Sequence, residues 1–264
     1  MSTSESLDER LLDYLLRLAD TDLILAQRLG AWTGHGPVLE EDIAMTNIGL
    51  DLLGQARLWF AYAGEVESRI RDRGRSEDEF AFLRDGGEFR NLLLAEQPNG
   101  NYADTIARHF YFDVWHQLLL TRLVNSRDGR IAEIAAKAVK EVRYHAERSS
   151  DWVIRLGDGT DESHSKMQAA VDQLWMYTGE MFAVDGTEAA LANADLICDL
   201  GALAAPWRQV INAVFYEATL TVPKESWMQG AHMRGGKQGV HTEHLGHLLA
   251  EMQYLQRAYP GAQW

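Results

Sequence analysis

Residues 47–57, NIGLDLLGQAR, have the pattern of the middle of a long helix. Asp51 and Gln55 lie four residues apart, so a helix places both on one face, together with Ile48 and Leu58. A carboxylate on an apolar face is costly to bury unless it is paired or bound to a metal. The stretch therefore predicts a metal site, a substrate site or a packed core with an internal polar partner.

The composition favours one large helical protein. The chain has 264 residues, of which 46% are hydrophobic and 24% charged, as is ordinary for a soluble globular protein. We expect an all-α chain forming a single domain over residues 1–264, with a core bundle over about 7–157 and additional helices over about 161–264. The formal net charge of -14 argues against a nucleic-acid partner, because contact with phosphates needs clustered Lys and Arg.

The cysteine usage and the hydrophobic pattern favour the cytoplasm. Cys198 is the only cysteine in the sequence, so no disulfide can form within the chain. The first residues, MSTSESLDERLLDY, lack the basic and apolar regions of a secretory signal. No run approaches the ~18 apolar residues of a membrane span. We expect a soluble cytoplasmic protein without a membrane partner.

Hydrophobic periodicity predicts seven long helices. Ser76 with Glu79 three residues later predicts a capping box and one further, short helix that ends before Gly86. Asn101 is predicted near a helix N-cap, after the turn at residues 98–100. The long helices are expected at about 7–29, 40–63, 102–125, 131–156, 163–182, 206–221 and 241–258.

Four of these helices carry one acid in the middle of an apolar seam: Asp22, Asp51, Asp113 and Glu141. Two helical hairpins of similar length would place these acids at similar heights. This is the layout of ferritin-like di-iron four-helix bundles, in which two helices supply one Glu each and two supply Glu-x-x-His. Positions three apart share a helical face, so both ligands of such a pair can point inward.

The sequence departs from that ligand set at several positions. No Glu-x-x-His occurs anywhere in the chain. Leu52 stands where the second helix would need a Glu, and Gln55 where it would need a His. The fourth helix keeps Glu141 but has Tyr144 three residues later, with His145 about 100° further round the helix. About half of a di-iron ligand set is therefore missing.

Two interpretations of the acids stay open. A buried hydrogen-bonded or ion-paired network would use His109, His116, Tyr144 and His145 as partners. A mononuclear metal would instead use what remains of the ligands: Asp22, Asp113, His116 and Glu141.

A second histidine series invites a zinc hypothesis. His241, His244 and His247 step by three, which offsets successive members by about 60° on a helix, so that only neighbours converge. The series lacks the His-Glu-x-x-His pattern of zinc proteases. We expect surface or interface histidines here.

Five segments of the chain resemble one family closely. They are LRLADTDLILAQRLGAWTGHGP, NIGLDLLGQAR, NLLLAEQPNGNYADTIARHFYFDVWH, AKAVKEVRYH and GGKQGVHTEHLGHLLAEMQYLQRAYPGAQW, and they run from near the N-terminus to the last residue. They are similar to the C subunits of bacterial phenylacetyl-CoA epoxidases, also called phenylacetyl-CoA oxygenase complexes.

The resemblance implies a ferritin-like helical subunit of a multicomponent monooxygenase in aerobic phenylacetate breakdown. It implies a structural, non-catalytic role, with Asp22, Leu52, Gln55, Asp113, Glu141 and Tyr144 at positions where metal ligands have been lost. It also implies a paralogous catalytic A subunit that carries the di-iron site, further epoxidase subunits, and a reductase subunit that uses NADPH, flavin and an iron–sulfur centre. No cofactor is expected in this chain, and self-association is possible.

Other functions stay open from the sequence. The chain could be an oxygenase or oxidase in its own right with an atypical metal site. It could also be an acyl-CoA binding module, with Arg234 and Lys237 in the glycine-rich stretch at 229–239 holding a CoA phosphate, although a turn or a contact between subunits fits that stretch better. The eight tryptophans exceed what a simple bundle needs; we expect most in the core and the remaining apolar surface in a lasting complex.

Overall fold

A computed structural model describes residues 5–224 and 235–262, and all regular structure in these ranges is helical. The chain divides into two compact units, the first made of Met1–Pro98 with Gly235–Trp264 and the second of Asn99–Arg234. The expected all-α class is therefore confirmed. The expectation of a single domain over residues 1–264 stays a prediction.

The first unit is built on a long helical hairpin. Helix α1 spans Leu7–Gly30 and helix α2 spans Leu39–Ile70, and the two pack against each other. Ser6 caps α1, since its Oγ accepts from the amide of Glu9 at 3.2 Å while the Glu9 carboxylate accepts from the amide of Ser6 at 2.6 Å. The apolar seam of α1 that contains Asp22 is buried: Leu11, Leu15, Leu18, Asp22, Leu25 and Leu29.

Two short helices and an ion pair complete the region after the hairpin. Helix α3, Glu77–Phe82, has the predicted Ser76–Glu79 capping box, and a 3-10 turn follows at Gly86–Glu88. Arg84 follows α3 in the sequence, and its guanidinium is fully buried. It pairs with the buried carboxylate of Asp20 on α1, and it also donates to the carbonyl of Phe80 at 2.6 Å.

The last residues of the chain return to the first unit. Helix α9 spans Glu243–Met252 and helix α10 spans Tyr254–Ala258. Gln253, at the break between them, donates to the carbonyls of Ala81 and Arg84, each at 3.0 Å. Arg257 donates to the carbonyl of Phe82 at 3.2 Å and to that of Arg84 at 2.7 Å. The first unit is thus made from two segments that are distant in sequence.

The second unit contains the other long hairpin. Helix α4, Tyr102–Leu123, and helix α5, Gly129–Gly157, pack along each other, and both pack against helix α6, Asp161–Thr178. Asn101 caps α4 as predicted, accepting from the amide of Ala103 at 2.8 Å. A buried aromatic group joins α4 to α6 and to helix α8, Ala204–Glu217: Phe110, Tyr111, Trp175, Trp207 and Phe215.

The structure differs from the predicted helices in four places. Helix α2 continues to Ile70 instead of ending near residue 63, because Val66 and Glu67 are still buried. Helix α7, Gly186–Asn193, was not predicted, since only eight residues and few large apolar ones form it. The single helix expected at 241–258 is two helices, α9 and α10, and a 3-10 turn at Gly179–Phe182 ends the helix expected to reach residue 182. No helix of the described ranges is long and apolar enough to cross a membrane.

We predict that the whole chain unfolds in one cooperative transition. The first unit is complete only when both of its segments are folded together. The second unit separates these two segments in sequence. Differential scanning calorimetry would then give one peak, with equal calorimetric and van't Hoff enthalpies. Two resolved peaks would contradict the prediction and would define two independent domains.

Candidate functional site

A polar cluster lies inside the second unit, on the facing sides of α4 and α5. His109, Asp113 and His116 are spaced by four and three on one face of α4, and His145 comes from α5. All four are buried, with at most 4% of the residue exposed. Sequence analysis singled out Asp113 and named the three histidines as its partners, and the structure buries all four.

The two α4 residues nearest to each other are His109 and Asp113. Their closest atoms, Nδ1 of His109 and Oδ1 of Asp113, are 3.7 Å apart, which is within ion-pair range but too long for a hydrogen bond. Among the described residues, neither carboxylate oxygen of Asp113 and neither ring nitrogen of His109 has a hydrogen-bond partner. This arrangement is expensive for an ionised pair, because a buried charge needs hydrogen bonds as well as an opposite charge.

Burial keeps the α4 histidines neutral. It lowers the pKa of His109 below its ordinary value by more than the neighbouring Asp113 raises it. It lowers the pKa of His116 to about 3, against the opposing effect of Asp113 and with a smaller contribution from His145. The ring of His116 also packs against Phe112, with ring centres 4.8 Å apart. At neutral pH these imidazoles act as packed, uncharged rings.

The first unit has its own buried polar positions in the α1–α2 hairpin. Asp22 is 1% exposed, and burial raises the pKa of its carboxyl well above the ordinary value. The buried stripe of α2 includes Leu52 and Gln55 but not Asp51, which is only half-buried. The expectation of a buried Asp51 is therefore wrong, because the core-facing stripe of α2 passes beside it: Met45, Ile48, Leu52, Gln55 and Trp59.

Helix α5 requires a second correction. Its buried stripe runs through Ile134, Ala138, Val142, His145 and Ser149. Glu141 lies at the edge of this stripe and is half-buried, while Tyr144 is 50% exposed. Tyr144, which sequence analysis named among the buried partners, is therefore exposed, whereas His145, four residues after Glu141, is buried as expected.

These side chains do not fit a di-iron centre. No three His, Cys, Asp or Glu side chains of the described ranges come together so that they could hold a metal ion. Leu52 offers no donor atom, and Tyr144 faces away from the interior. The mononuclear alternative with Asp22, Asp113, His116 and Glu141 takes residues from both units and stays a prediction.

A second polar site, which sequence analysis missed, lies in the first unit around Glu96. The carboxylate of Glu96 is fully buried and accepts from Nδ1 of His241 at 2.9 Å, from the amide of Thr242 at 2.6 Å and from the side chain of Asn91 at 3.0 Å. The other ring nitrogen of His241 lies 3.0 Å from the carbonyl of Phe89. Since both nitrogens face acceptors, the geometry favours a doubly protonated, charged imidazole.

The electrostatics of this site agree with that geometry. Burial acts to lower the pKa of His241, but the Glu96 carboxylate and the Phe89 carbonyl outweigh it, so the pKa is raised. The loop before His241 is closely fitted as well: a Cβ on Gly239, whose φ is +77°, would collide with the carbonyl oxygen of Gly87. Glu96 and His241 thus fasten residues 235–242 to residues 87–96.

The histidine series is therefore divided. His241 is an internal ion-pair partner, against the expectation of a surface or interface role, whereas His247 is exposed as expected and His244 is half-buried. Of the two cations considered for a CoA phosphate, Lys237 is buried and Arg234 lies outside the described residues. Four of the tryptophans are buried as expected: Trp59, Trp115, Trp175 and Trp207.

The fold and the buried polar side chains are those of a ferritin-like helical protein. Its long helical hairpins carry acids and histidines in the interior. The chain belongs to the family of phenylacetic acid catabolic proteins, whose model matches residues 1–264. It is similar to the C subunit of 1,2-phenylacetyl-CoA epoxidase from Escherichia coli (strain K12). The two are 53% identical over 251 residues, which cover 95% of this chain and 98% of that relative.

We predict that His241 stabilises the protein most below pH 6.5. Its pKa is raised on folding, so its contribution is complete below the unfolded value of 6.5 and is lost as the pH rises through the folded value. Denaturant unfolding of wild type and His241→Gln at pH 6, 7, 8 and 9 should show a difference that shrinks with pH. The exposed residue of the same series provides a matched control, since His247→Gln should give a small, constant difference. A His241 effect that grows with pH would contradict the assignment.

For His116 the predicted pH dependence has the opposite sign. Its pKa is lowered on folding, so the unfolded chain binds its proton first and stability falls as the pH drops from 6.5 towards 3. Below pH 6.5 wild type should lose stability faster than His116→Gln, by at most about 1.4 kcal/mol per pH unit. Unfolding free energies measured at pH 7, 6, 5 and 4 test this; parallel curves for the two proteins would show that His116 is not held neutral.

Proposed function

We propose that this chain is the structural, non-catalytic subunit of a multicomponent monooxygenase that epoxidises the ring of phenylacetyl-CoA in aerobic phenylacetate catabolism. It binds and stabilises a paralogous catalytic subunit. In the complete enzyme dioxygen supplies one atom to a ring 1,2-epoxide, and the other atom leaves as water with electrons from NADPH. The di-iron centre belongs to the catalytic partner, and flavin and iron–sulfur groups belong to the reductase.

The similarity to the C subunit of an epoxidase, along nearly the whole length of both chains, carries the proposal. A match of this extent includes both hairpins, both units and the returning C-terminal segment, rather than one motif. The relative is named as a subunit, and a subunit needs partners. The partners proposed here are the catalytic A subunit and the other components of the epoxidase.

The buried positions of the hairpins support the non-catalytic part of the proposal. Leu52 and Gln55 are buried on α2 where a ligand-bearing helix would offer a carboxylate and an imidazole. A metal-binding carboxylate has to be ionised. Burial instead favours the protonated form of Asp22, because it raises the pKa of that carboxyl well above the ordinary value. The interior is suited to packing neutral groups rather than to neutralising two cations.

We place the protein in the cytoplasm. Its single cysteine, Cys198, is suited to a reducing compartment, and burial raises the pKa of that thiol to about 11. A thiol with so high a pKa is a poor nucleophile at neutral pH, which supports a structural role for it.

Reconstitution of the complex tests the function. The chain is co-expressed with a catalytic subunit, and co-purification, iron content and epoxide formation from phenylacetyl-CoA are measured. We expect co-purification, iron that partitions with the catalytic subunit, and no oxygen consumption by this chain alone with phenylacetyl-CoA and a reductant. Two irons per copy of the isolated chain would overturn the non-catalytic role, and failure to co-purify would overturn the proposed partner.

Two substitutions sharpen the test. Asp22→Asn and Glu141→Gln replace the carboxyl groups at these two positions by amides of the same shape. We expect turnover per assembled complex to stay within about twofold of wild type, since neither group touches the reacting atoms. Asp22→Asn should also hold or raise stability at pH 7, because the amide needs no proton to be buried. Loss of turnover in a fully assembled, stable complex would contradict the structural role of these acids.

A further inference from the structure

The turn that precedes α4 contains the one Asn-Gly step of the sequence, Asn99–Gly100. Both residues lie outside regular structure; Asn99 is half-buried and Gly100 is exposed. In an Asn-Gly step the main-chain nitrogen of the glycine can attack the side-chain amide carbon of the asparagine and expel ammonia, because glycine has no side chain to hinder a close approach. The surroundings of the step decide whether this reaction takes place in the folded protein.

The main-chain nitrogen of Gly100 is available as the nucleophile. Its N–H donates no hydrogen bond within the described ranges, whereas the amide of Asn101, the next residue, donates to the carboxylate of Asp104 at 2.8 Å. The φ of Gly100 is +56°, and a Cβ at this position would collide with the Asp104 carboxylate. The turn thus requires the least hindered residue directly after Asn99, and the nitrogen of that residue can lose its proton to water.

The side-chain amide of Asn99 is held with its oxygen against a buried cation. Its Oδ1 accepts from Nη2 of Arg108 at 2.7 Å, and Arg108 is 1% exposed. When a nitrogen attacks Cγ of Asn99, negative charge develops on Oδ1, and a hydrogen bond from a guanidinium becomes stronger as its acceptor gains charge. Arg108 therefore stabilises the tetrahedral intermediate more than the intact amide, as the donors of an oxyanion hole do.

We propose that Asn99 is a site of spontaneous deamidation, in which the Arg108 guanidinium stabilises the intermediate. Water or hydroxide takes the proton of the Gly100 N–H, and the nitrogen bonds to Cγ of Asn99. The bond from Cγ to Nδ2 then breaks, and the released NH2 group takes up one proton and leaves as ammonia. The product of this step is a cyclic imide that joins residues 99 and 100.

Water opens the imide at either of two bonds. Breaking the bond from the Gly100 nitrogen to Cγ gives aspartate in the original main chain. Breaking the bond from that nitrogen to the main-chain carbonyl carbon gives isoaspartate. In both cases the hydroxyl of water goes to the carbon and its other hydrogen to the nitrogen. The net reaction adds water and releases ammonia, with no oxidation or reduction.

The two products have opposite effects on the second unit. Aspartate keeps the side chain in place and offers Arg108 a charged acceptor, and hydrogen bonds to charged groups contribute more to stability than those between neutral groups. Isoaspartate directs the main chain through the former side chain and adds a methylene just before Asn101, whose side chain caps α4. The isoaspartate form should therefore be the less stable one, because it shifts the cap and the acceptor of Arg108 together.

Peptide mapping by mass spectrometry of the full chain, kept folded at 37 °C, tests the site. At pH 8 the peptide that contains residue 99 should gain the mass of an amide-to-acid exchange over days, and it should do so more slowly at pH 6, since the attacking nitrogen is deprotonated. The Asn125–Ser126 step is an internal control. The amide of Ser126 donates to the carbonyl of Leu123 at 2.9 Å, so Asn125 should react at least about tenfold more slowly, because this bond must break first.

Two outcomes of this mapping would overturn the proposal. One is an Asn99 that stays intact in the folded chain, or reacts no faster than Asn125. The other is a folded chain that reacts much more slowly at Asn99 than the same chain unfolded in guanidinium chloride, where the contact with Arg108 is lost. The Asn99→Gln variant is the control for the assignment of the signal, since its longer side chain disfavours the imide.

Substitution of Arg108 tests the stabilisation of the intermediate. Arg108→Gln keeps a hydrogen-bond donor and removes the charge, so deamidation at Asn99 should slow at least about tenfold. Circular dichroism establishes that the variant is folded, and where it is not, the comparison of the folded and unfolded wild type decides. An unchanged rate in folded Arg108→Gln would contradict the role of the guanidinium.

The aspartate product can be made directly. Asn99→Asp should raise the midpoint of thermal unfolding by at least about 2 °C, because its carboxylate faces Arg108. Asn125→Asp is the matched control: it is the same substitution in the same unit on an exposed asparagine, and it should not raise the midpoint. A lower midpoint for Asn99→Asp would overturn the pairing of the product with Arg108.

Discussion

The buried carboxylate is the constraint on which the rest of the structure depends. Asp20 and Glu96 both lie in the first unit with no exposure, and a buried charge is tolerated only with an opposite charge and hydrogen bonds. Asp20 receives the guanidinium of Arg84 and the amide of Arg90 at 2.8 Å. Glu96 receives His241 and the amide of Thr242. Asp20 thus joins α1 to the segment at 84–90, and Glu96 joins its own segment to residues 241–242. The two acids together connect parts of the first unit that are distant in sequence.

The second unit meets the same constraint in another way. Around Asp113 the neighbours are histidines, and burial holds His109 and His116 neutral, so they cannot supply a full opposite charge. An ion pair of the Asp20–Arg84 kind is absent from this cluster among the described residues. Acids and histidines on the inner faces of paired helices are typical of a ferritin-like metal site, but in the described part of this chain no three of them are arranged so that they could hold a metal ion. The α4–α5 interior keeps the residue types of such a site without its geometry.

Local rules in the sequence were sufficient for the helices and insufficient for the contacts between them. The Ser76–Glu79 and Asn101 caps and the α1 seam were predicted because each depends on residues within one or two turns. Tyr144 and His145 were both expected as buried partners; only His145 is buried, because the α5 packing stripe passes through His145 and leaves Tyr144 exposed. The Glu96–His241 pair joins residues 145 positions apart, and no local pattern marks it.

The stretch 47–57 shows how the two sides of one helix can be under different constraints. Leu52 and Gln55 face the interior, where they offer neither of the metal ligands that their positions would supply in a ligand-bearing helix. Leu50 and Leu53, each only two residues away from one of these, face outward and stay apolar although water surrounds them. Solvent alone would favour polar residues at those positions. The packing of the first unit therefore accounts for the inner side of α2 only.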